Sequence, residues 1–218
     1  MWDMSYAIEI FPKLLSALRI TIAATFVGFA LASVLGLVWA VARRSEIKLI
    51  SRTVGLLVDF IRTTPLLAQL YFIFYVFPQF GLTLNAFASG VLGLGLHYST
   101  YLSEVYRSGI DGIPKGQWEA ARALNFSTVR TWAKIILPQA VPPILPVMGG
   151  YLIGMFKQTP LLSAITVVEL LQTAQIIGSD TFRYLEPITM VGFLFLVLSY
   201  TSSLGVDWLD SKVNKHLS

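Results

Sequence analysis

The apolar residues of this chain gather in five long runs, roughly Leu14 to Ala42, Thr53 to Phe77, Leu84 to Tyr106, Ile135 to Phe156 and Pro187 to Trp208. Each reaches the length of about 20 residues that a helix needs to cross the hydrocarbon core of a bilayer. Backbone polar groups find no water there, so the runs predict helices that bond internally. Pro78-Gln79-Phe80-Gly81 and Gly178-Ser179-Asp180 carry turn chemistry and predict breaks. With no repeat, low-complexity tract or linker in between, residues 1–218 are expected to form one all-α transmembrane domain. Its membrane core covers about 14–208 and a polar loop covers about 111–134.

Composition agrees: 55% of residues are hydrophobic and 13% charged, with a mean hydropathy of +0.68, too little polar surface for an ordinary water-soluble domain. The net charge of +4 does not point to nucleic acid, because the basic residues form short clusters between apolar runs and no continuous face. Cysteine is absent and the histidines are His97 and His216, which excludes disulfide frameworks and thiolate or multi-histidine metal sites. A cleaved leader fits poorly, since Asp3 and Glu9 offset Lys13 and Arg19 and the apolar run continues past Ala32 to Ala42.

Charge asymmetry gives an orientation. Arg43, Arg44, Lys48 and Arg52, then Arg107, Lys115, Arg122, Arg130 and Lys134, then Lys212 and Lys215 all fall on one side if there are five spans. That side is the cytoplasm by the positive-inside rule, with the N-terminus outside and the C-terminus inside. Pro78 to Asn85, on the other side, has no charge, and Arg183 is opposed by Asp180 and Glu186.

The longest cytoplasmic connection then holds Gly116 to Leu124, a stretch of good helix formers after Pro114. Asn125 stops it, being tolerant of the left-handed conformation at a helix end. A second helical stretch runs to Leu137-Pro138, giving a helix-turn-helix elbow. Here Glu119, Ala120, Ala121, Ile135, Leu137 and Pro138 match the spacing of a loop signature, and the chain resembles the permease subunits of bacterial ABC importers. Asn125 stands where that family has glycine. Three further blocks are similar to the polar amino acid branch of the family. These are Phe60-Ile61-Arg62-Thr63-Thr64-Pro65-Leu66-Leu67, Tyr101 to Ile110, and Phe156-Lys157-Gln158-Thr159-Pro160-Leu161, with Thr63 replacing glycine and Pro160 replacing serine.

The resemblance implies a type I importer fold of about five spans in a bacterial inner membrane. It implies a second permease subunit, identical or paralogous, a cytoplasmic ATPase dimer that hydrolyses ATP with Mg, and a periplasmic or lipid-anchored solute-binding protein. No cofactor is expected on the permease itself, and its surface meets membrane lipid. Trp118, Glu119, Ala120, Ala121, Arg122, Leu124 and Asn125 become the ATPase-coupling residues: the alanines suit close docking, Glu119 can meet a basic group, and Trp118 or Leu124 can anchor the apolar side.

Candidates for the solute pathway are Asp59, Arg62, Thr64, His97, Lys157, Gln158 and Glu169. Asp59 and Arg62, three apart, share a helix face and form either a packing salt bridge or a solute contact. Lys157 and Glu169 offer both signs to a zwitterion, or are an interfacial snorkel and a loop charge. His97 is a hydrogen-bonded packing residue or lines the path. Glu104 and Arg107 brace the third run, Gly90, Gly93 and Gly95 with Ala86 allow close helix approach, and Thr64-Pro65 marks a kink that either frees carbonyls toward the path or is only a kink.

No phosphate-binding loop occurs, so any ATP chemistry belongs to a partner. A self-contained secondary transporter or channel is the alternative, without the inverted repeats or intramembrane acids such proteins use. A membrane enzyme lacks its motifs. A polar amino acid is the cargo implied by resemblance; ectoine or a betaine stays open, since Tyr71, Phe72, Phe74 and Tyr75 also suit a weakly hydrated cation.

Overall fold

The computed structural model describes residues 2–214; Lys215 and His216 lie outside them. The described residues form nine α-helices and no strand. Helix α1 spans Met4–Arg43, α2 Lys48–Thr63, α3 Leu66–Tyr71, α4 Ala86–Asp111, α5 Lys115–Ala123, α6 Thr128–Thr131, α7 Leu137–Gln158, α8 Leu170–Thr181 and α9 Leu185–Asn214. π-helical turns follow α3 and α6, and 3-10 turns occupy Phe77–Phe80 and Thr159–Ile165.

The five apolar runs fall on α1, the α2–α3 pair, α4, α7 and α9. Among the described residues, three continuous helical stretches are long and apolar enough to cross a membrane: Met4–Arg43, Thr128–Ile165 and Leu185–Val213. Lys48–Thr63 and Leu66–Phe80 pass only together, as a pair bent by 103°. Helix α4 has 26 residues, long enough to span, yet is more polar than the others. Its polarity is turned inward: Ser89, Ser99, Thr100 and Ser103 are buried. Thr100 and Ser103 return their hydroxyl protons to carbonyls three residues back, while the Ser99 hydroxyl accepts from the Trp39 indole at 2.9 Å.

Helices α1 and α4 make the most intimate contact in the fold. Ala24, Gly28, Ala32, Gly36 and Ala40, each four residues from the next, are all buried on one stripe of α1. This spacing lets two backbones approach closely where no hydrophobic drive separates side chain from lipid. A Cβ at Gly36 would lie 2.9 Å from the Leu102 Cβ and 3.0 Å from the Ser99 carbonyl oxygen. At Gly95 it would meet Leu31 at 2.6 Å. Leu94, Leu102, Met155 and Leu162 extend this core toward α7, and Leu14, Leu18, Leu170 and Ala174 build a second one beneath α8. Outward, Phe26, Val34, Leu56, Phe60, Phe193 and Leu196 are exposed, a belt of large apolar side chains that suits lipid or a partner subunit and not water.

Two expectations change. Gly178-Ser179-Asp180 is not a break but the last part of α8; the chain turns instead at Phe182, whose φ is 55°. Gly178 is there for packing, since a Cβ would sit 2.5 Å from the Tyr184 ring. Nor is Asp180 the partner of Arg183. The Arg183 guanidinium donates to Glu186 at 2.7 Å, pairs with Asp3 at 3.4 Å and lies 4.0 Å from the Tyr6 ring centroid. Asp3 in turn caps α1, accepting from the Ser5 and Tyr6 amides at 3.0 and 3.2 Å, and its own amide donates to Glu186 at 3.1 Å. The start of α1 is thus latched to the start of α9.

Gly36→Ala is expected to cost about 1–3 kcal/mol, because its methyl meets backbone that cannot rotate away. Gly192→Ala, which meets nothing within 4 Å, should not destabilise. Thermal unfolding midpoints in detergent check this, and equal shifts for the two would contradict it. The latch is acid-sensitive. The Tyr6 amide, with the Arg183 guanidinium, holds the Asp3 carboxyl below the ordinary carboxylate range. Its contribution is therefore complete above the usual Asp titration and lost as pH falls through the lowered value. Hydrogen exchange at the first turn of α1, corrected for intrinsic rates, should rise on that acidification, and Arg183→Gln should reproduce the rise at neutral pH.

Candidate functional site: a cleft at a broken helix and an elbow

Pro65 has no amide proton, so the α2 ladder cannot continue through it. Thr64 leaves the helix with ψ 143°, and the chain turns by 103° into α3. The carbonyls released by the break are claimed by side chains. Gln69 Nε2 lies 2.6 Å from the Ile61 carbonyl, 3.1 Å from the Thr64 carbonyl and 2.8 Å from the Thr64 hydroxyl. The Thr64 hydroxyl donates to Ile61 at 3.0 Å.

The same Gln69 nitrogen is 3.2 Å from His97 Nδ1. That amide nitrogen has two protons for the carbonyls and hydroxyl around it, and the role of Nδ1 follows the tautomer of the ring. His97 is therefore both a packing residue and a wall residue: it lines a cleft of about 1000 Å³ between the break, α4 and α7. Arg62, Thr64 and Gln158 line it too. Opposite stands an aromatic wall that the sequence does not announce, Tyr98, Tyr101 and Tyr151. Tyr101 and Tyr151 have ring centroids 5.6 Å apart, and His97 and Tyr101 5.4 Å.

Below the cleft lies a charged cluster. Arg62 donates to Asp59 at 3.0 Å, so these two do form the salt bridge, but Arg62 also reaches the cleft. Glu104 takes Arg43 at 2.5 Å and Arg107 at 2.6 Å, and Arg44 pairs with Asp111. Four guanidiniums thus face three carboxylates, and the excess falls at Glu104, which Arg43 and Arg107 share.

Lys157 and Glu169 do not join this site. Lys157 is exposed on the last turn of α7. The 3-10 turn after it, with Thr166 at φ 65°, folds Glu169 under α1, where it is fully buried and caps α8 by accepting from the Gln172 amide at 2.8 Å. The adjacent Leu170 amide donates to Thr21 at 3.2 Å. Steric return of the chain, not sequence proximity, separates the pair from the cleft.

The elbow has the expected outline. Helix α5 ends at Leu124 as C-cap, and Asn125 takes φ 52°. The Phe126 amide donates to Ala121 at 3.0 Å and the Asn125 amide to Arg122 at 2.9 Å, the pair of bonds that closes a helix through a left-handed residue. Trp118 packs edge-on against Trp132 at 5.2 Å, and Arg130 covers Phe126 at 4.4 Å. Ala121 is fully buried within α5, and Trp118 is half-buried. Glu119, Ala120, Arg122 and Asn125 are exposed, with Leu124 at 66% and Val129 at 78% as exposed apolar tips.

Residues 32–215 match the family of binding-protein-dependent transport system inner membrane components. The chain is 45% identical over 213 residues to a probable amino-acid ABC transporter permease protein, y4tG, of Sinorhizobium fredii, covering 98% of this chain and 92% of that one. It is 33% identical to the L-cystine transport system permease protein TcyB of Bacillus subtilis, over 100% of this chain and 93% of that one. A chain in the crystal structure of an amino acid ABC transporter with histidines superposes with a TM-score of 0.90 at 33% identity, over 97% and 99% of the two chains. The inward-facing MetNI methionine ABC transporter shares the fold, with a TM-score of 0.71 at 21% identity over 98% and 99% of the two chains. The chain belongs to the family of binding-protein-dependent transport system inner membrane components. It is a non-catalytic permease subunit of the ABC transporter type.

The elbow depends on a left-handed residue at position 125. Asn125→Gly should keep it, and Asn125→Val should destabilise it by about 1–2 kcal/mol, since a β-branched side chain clashes there. Limited proteolysis of residues 115–131 reads the difference; equal cleavage of the two variants would refute it.

Proposed function

We propose that this chain forms the translocation pathway of an ATP-driven importer for amino acids, with the cleft as the solute path and the elbow as the contact for an ATPase. The observation that carries the cargo class is the Arg62 guanidinium, the formally charged side chain on the wall of the cleft. A solute carboxylate would meet Arg62 and its ammonium the faces of Tyr101 and Tyr151, where a cation is attracted by the ring quadrupole. Thr64, Gln158 and the His97 ring add polar partners. The cleft volume of about 1000 Å³ is ample for a free amino acid. Two relatives are named for amino-acid or cystine transport, which supports the same class over ectoine.

The remaining parts follow the family. The chain sits in a bacterial inner membrane with the elbow and C-terminus in the cytoplasm, beside a second permease subunit, and receives solute from a binding protein. A cytoplasmic ATPase dimer hydrolyses ATP with Mg and grips the elbow through Glu119, Ala120, Arg122 and the exposed Leu124. Solute specificity is then shared between the binding protein and Arg62.

The test is uptake in proteoliposomes holding permease, ATPase and binding protein, with labelled glutamine, cystine, arginine and ectoine. ATP-dependent uptake of an amino acid is expected. Arg62→Gln should raise the half-saturating concentration by about tenfold or more, the loss of a charged hydrogen bond of about 1.5–3 kcal/mol. A cysteine at Leu124 should crosslink to the ATPase and one at the buried Ala121 should not. Uptake by the permease without any ATPase would instead establish a secondary transporter.

A further inference from the structure

The cleft does not end at Arg62. A second cleft of about 590 Å³ continues along the same two helices, lined by Glu104 and Ser108 of α4 and by Gln139 and Pro143 of α7. Val147 belongs to both walls. Each cleft has one formally charged lining residue, Arg62 in the first and Glu104 in the second. These two are neighbours, with Arg62 Nη1 3.8 Å from Glu104 Oε1.

That contact is loose for a reason. Glu104 Oε1 already accepts from Arg43 at 2.5 Å, and Oε2 accepts twice from Arg107, at 2.6 and 3.0 Å. Both oxygens are engaged, so Glu104 holds Arg62 by charge at a distance too long for a hydrogen bond. Among the described residues Asp59 is the one hydrogen-bond acceptor of the Arg62 guanidinium.

We propose that Arg62 and Glu104 form a charge gate across the step between the two clefts, opened when a solute carboxylate draws Arg62 away from Glu104. The exchange costs Glu104 little, because Arg43 and Arg107 continue to neutralise it. Arg62 exchanges a 3.8 Å contact for direct hydrogen bonds to the arriving carboxylate. Beyond the gate the second cleft reaches the elbow, since Gln139 on its wall donates to Gln117 of α5 at 3.3 Å. The carboxylate trigger rests on the transport function proposed above; the barrier between the clefts does not.

The chain has no native cysteine, so single thiols report on each side. Gly150→Cys places one in the first cleft, where a Cβ meets nothing within 4 Å, and Ser108→Cys places one in the second. In the assembled complex in proteoliposomes, a membrane-impermeant maleimide is applied from the elbow side. Ser108→Cys should react and Gly150→Cys should react slowly. Glu104→Gln should speed Gly150→Cys by up to about fivefold, the population change expected for loss of a partly exposed ion pair. Arg62→Gln should do the same, and it leaves the Arg43 and Arg107 bonds to Glu104 in place, so a packing defect at Glu104 cannot imitate the result. Equal rates for the two thiols with the pair intact, or a Gly150→Cys rate unmoved by both substitutions, would overturn the gate. If amino acid uptake fails while this labelling pattern holds, the transport proposal falls and the barrier stands; uptake without the labelling change removes the gate alone.

Discussion

The approach of α1 to α4 is the constraint on which the rest of the molecule depends. In lipid there is no solvent to drive apolar side chains together, so helices associate where surfaces fit and backbones come close. The stripe from Ala24 to Ala40 provides such a surface, one small residue per turn, and Gly36 brings the backbone of α1 against that of α4 at Ser99. Because α4 is fixed in this way, its polar face has a defined direction. His97, Tyr101, Glu104 and Ser108, spaced three to four residues apart, all fall on one side of α4, facing the two clefts. The orientation of the path is a consequence of packing on the opposite face of the same helix.

A second constraint acts at Thr64-Pro65. Breaking a helix inside an apolar layer exposes carbonyls that cost several kcal/mol each if left bare. Here Gln69 and the Thr64 hydroxyl bond them, and the amide that repairs the break also fixes the His97 ring. The kink therefore does not compete with the site. It supplies polar groups to the cleft and holds them in one geometry.

Much of this was legible in the residues and some was not. Each of the five runs is helical, because length and hydropathy are strong signals, though three helices and one bent pair are apolar enough to span by themselves and α4 is not; the Asn125 stop read correctly because few residues accept a left-handed backbone. The α1 stripe escaped notice: Ala and Gly at four-residue spacing vanish inside a uniformly apolar run, where the eye follows Leu, Val and Phe. Tyr98, Tyr101 and Tyr151 lie on two helices about fifty positions apart, and no local pattern joins them. Gly178 read as a turn residue because glycine serves two purposes, and only the Tyr184 ring above it shows which one applies. Lys157 and Glu169 looked like a pair because they are close in sequence, which a 3-10 turn followed by a left-handed Thr166 undoes. Ala121 matched a docking signature, yet a signature does not say which of its residues face outward.

Helix α7 connects these parts mechanically. Its wall residues run from Gln139 and Pro143 through Val147 to Gly150, Tyr151 and Gln158, so it lines both clefts along their length. At its start it is joined to the elbow by the Trp118–Trp132 contact and the Gln139–Gln117 bond. Between the two it carries Pro142, Pro143 and Pro146, each of which removes an internal hydrogen bond and leaves the helix softer to bending at that point. A force applied to the elbow thus enters a helix that is anchored at its base and compliant in the middle. Its compliant segment lies beside Val147, where the two clefts meet. On the proposed function, the first displacement of a driven elbow would fall at the step between Arg62 and Glu104, while His97, tied to the break through Gln69 on a helix packed against α1, would move last.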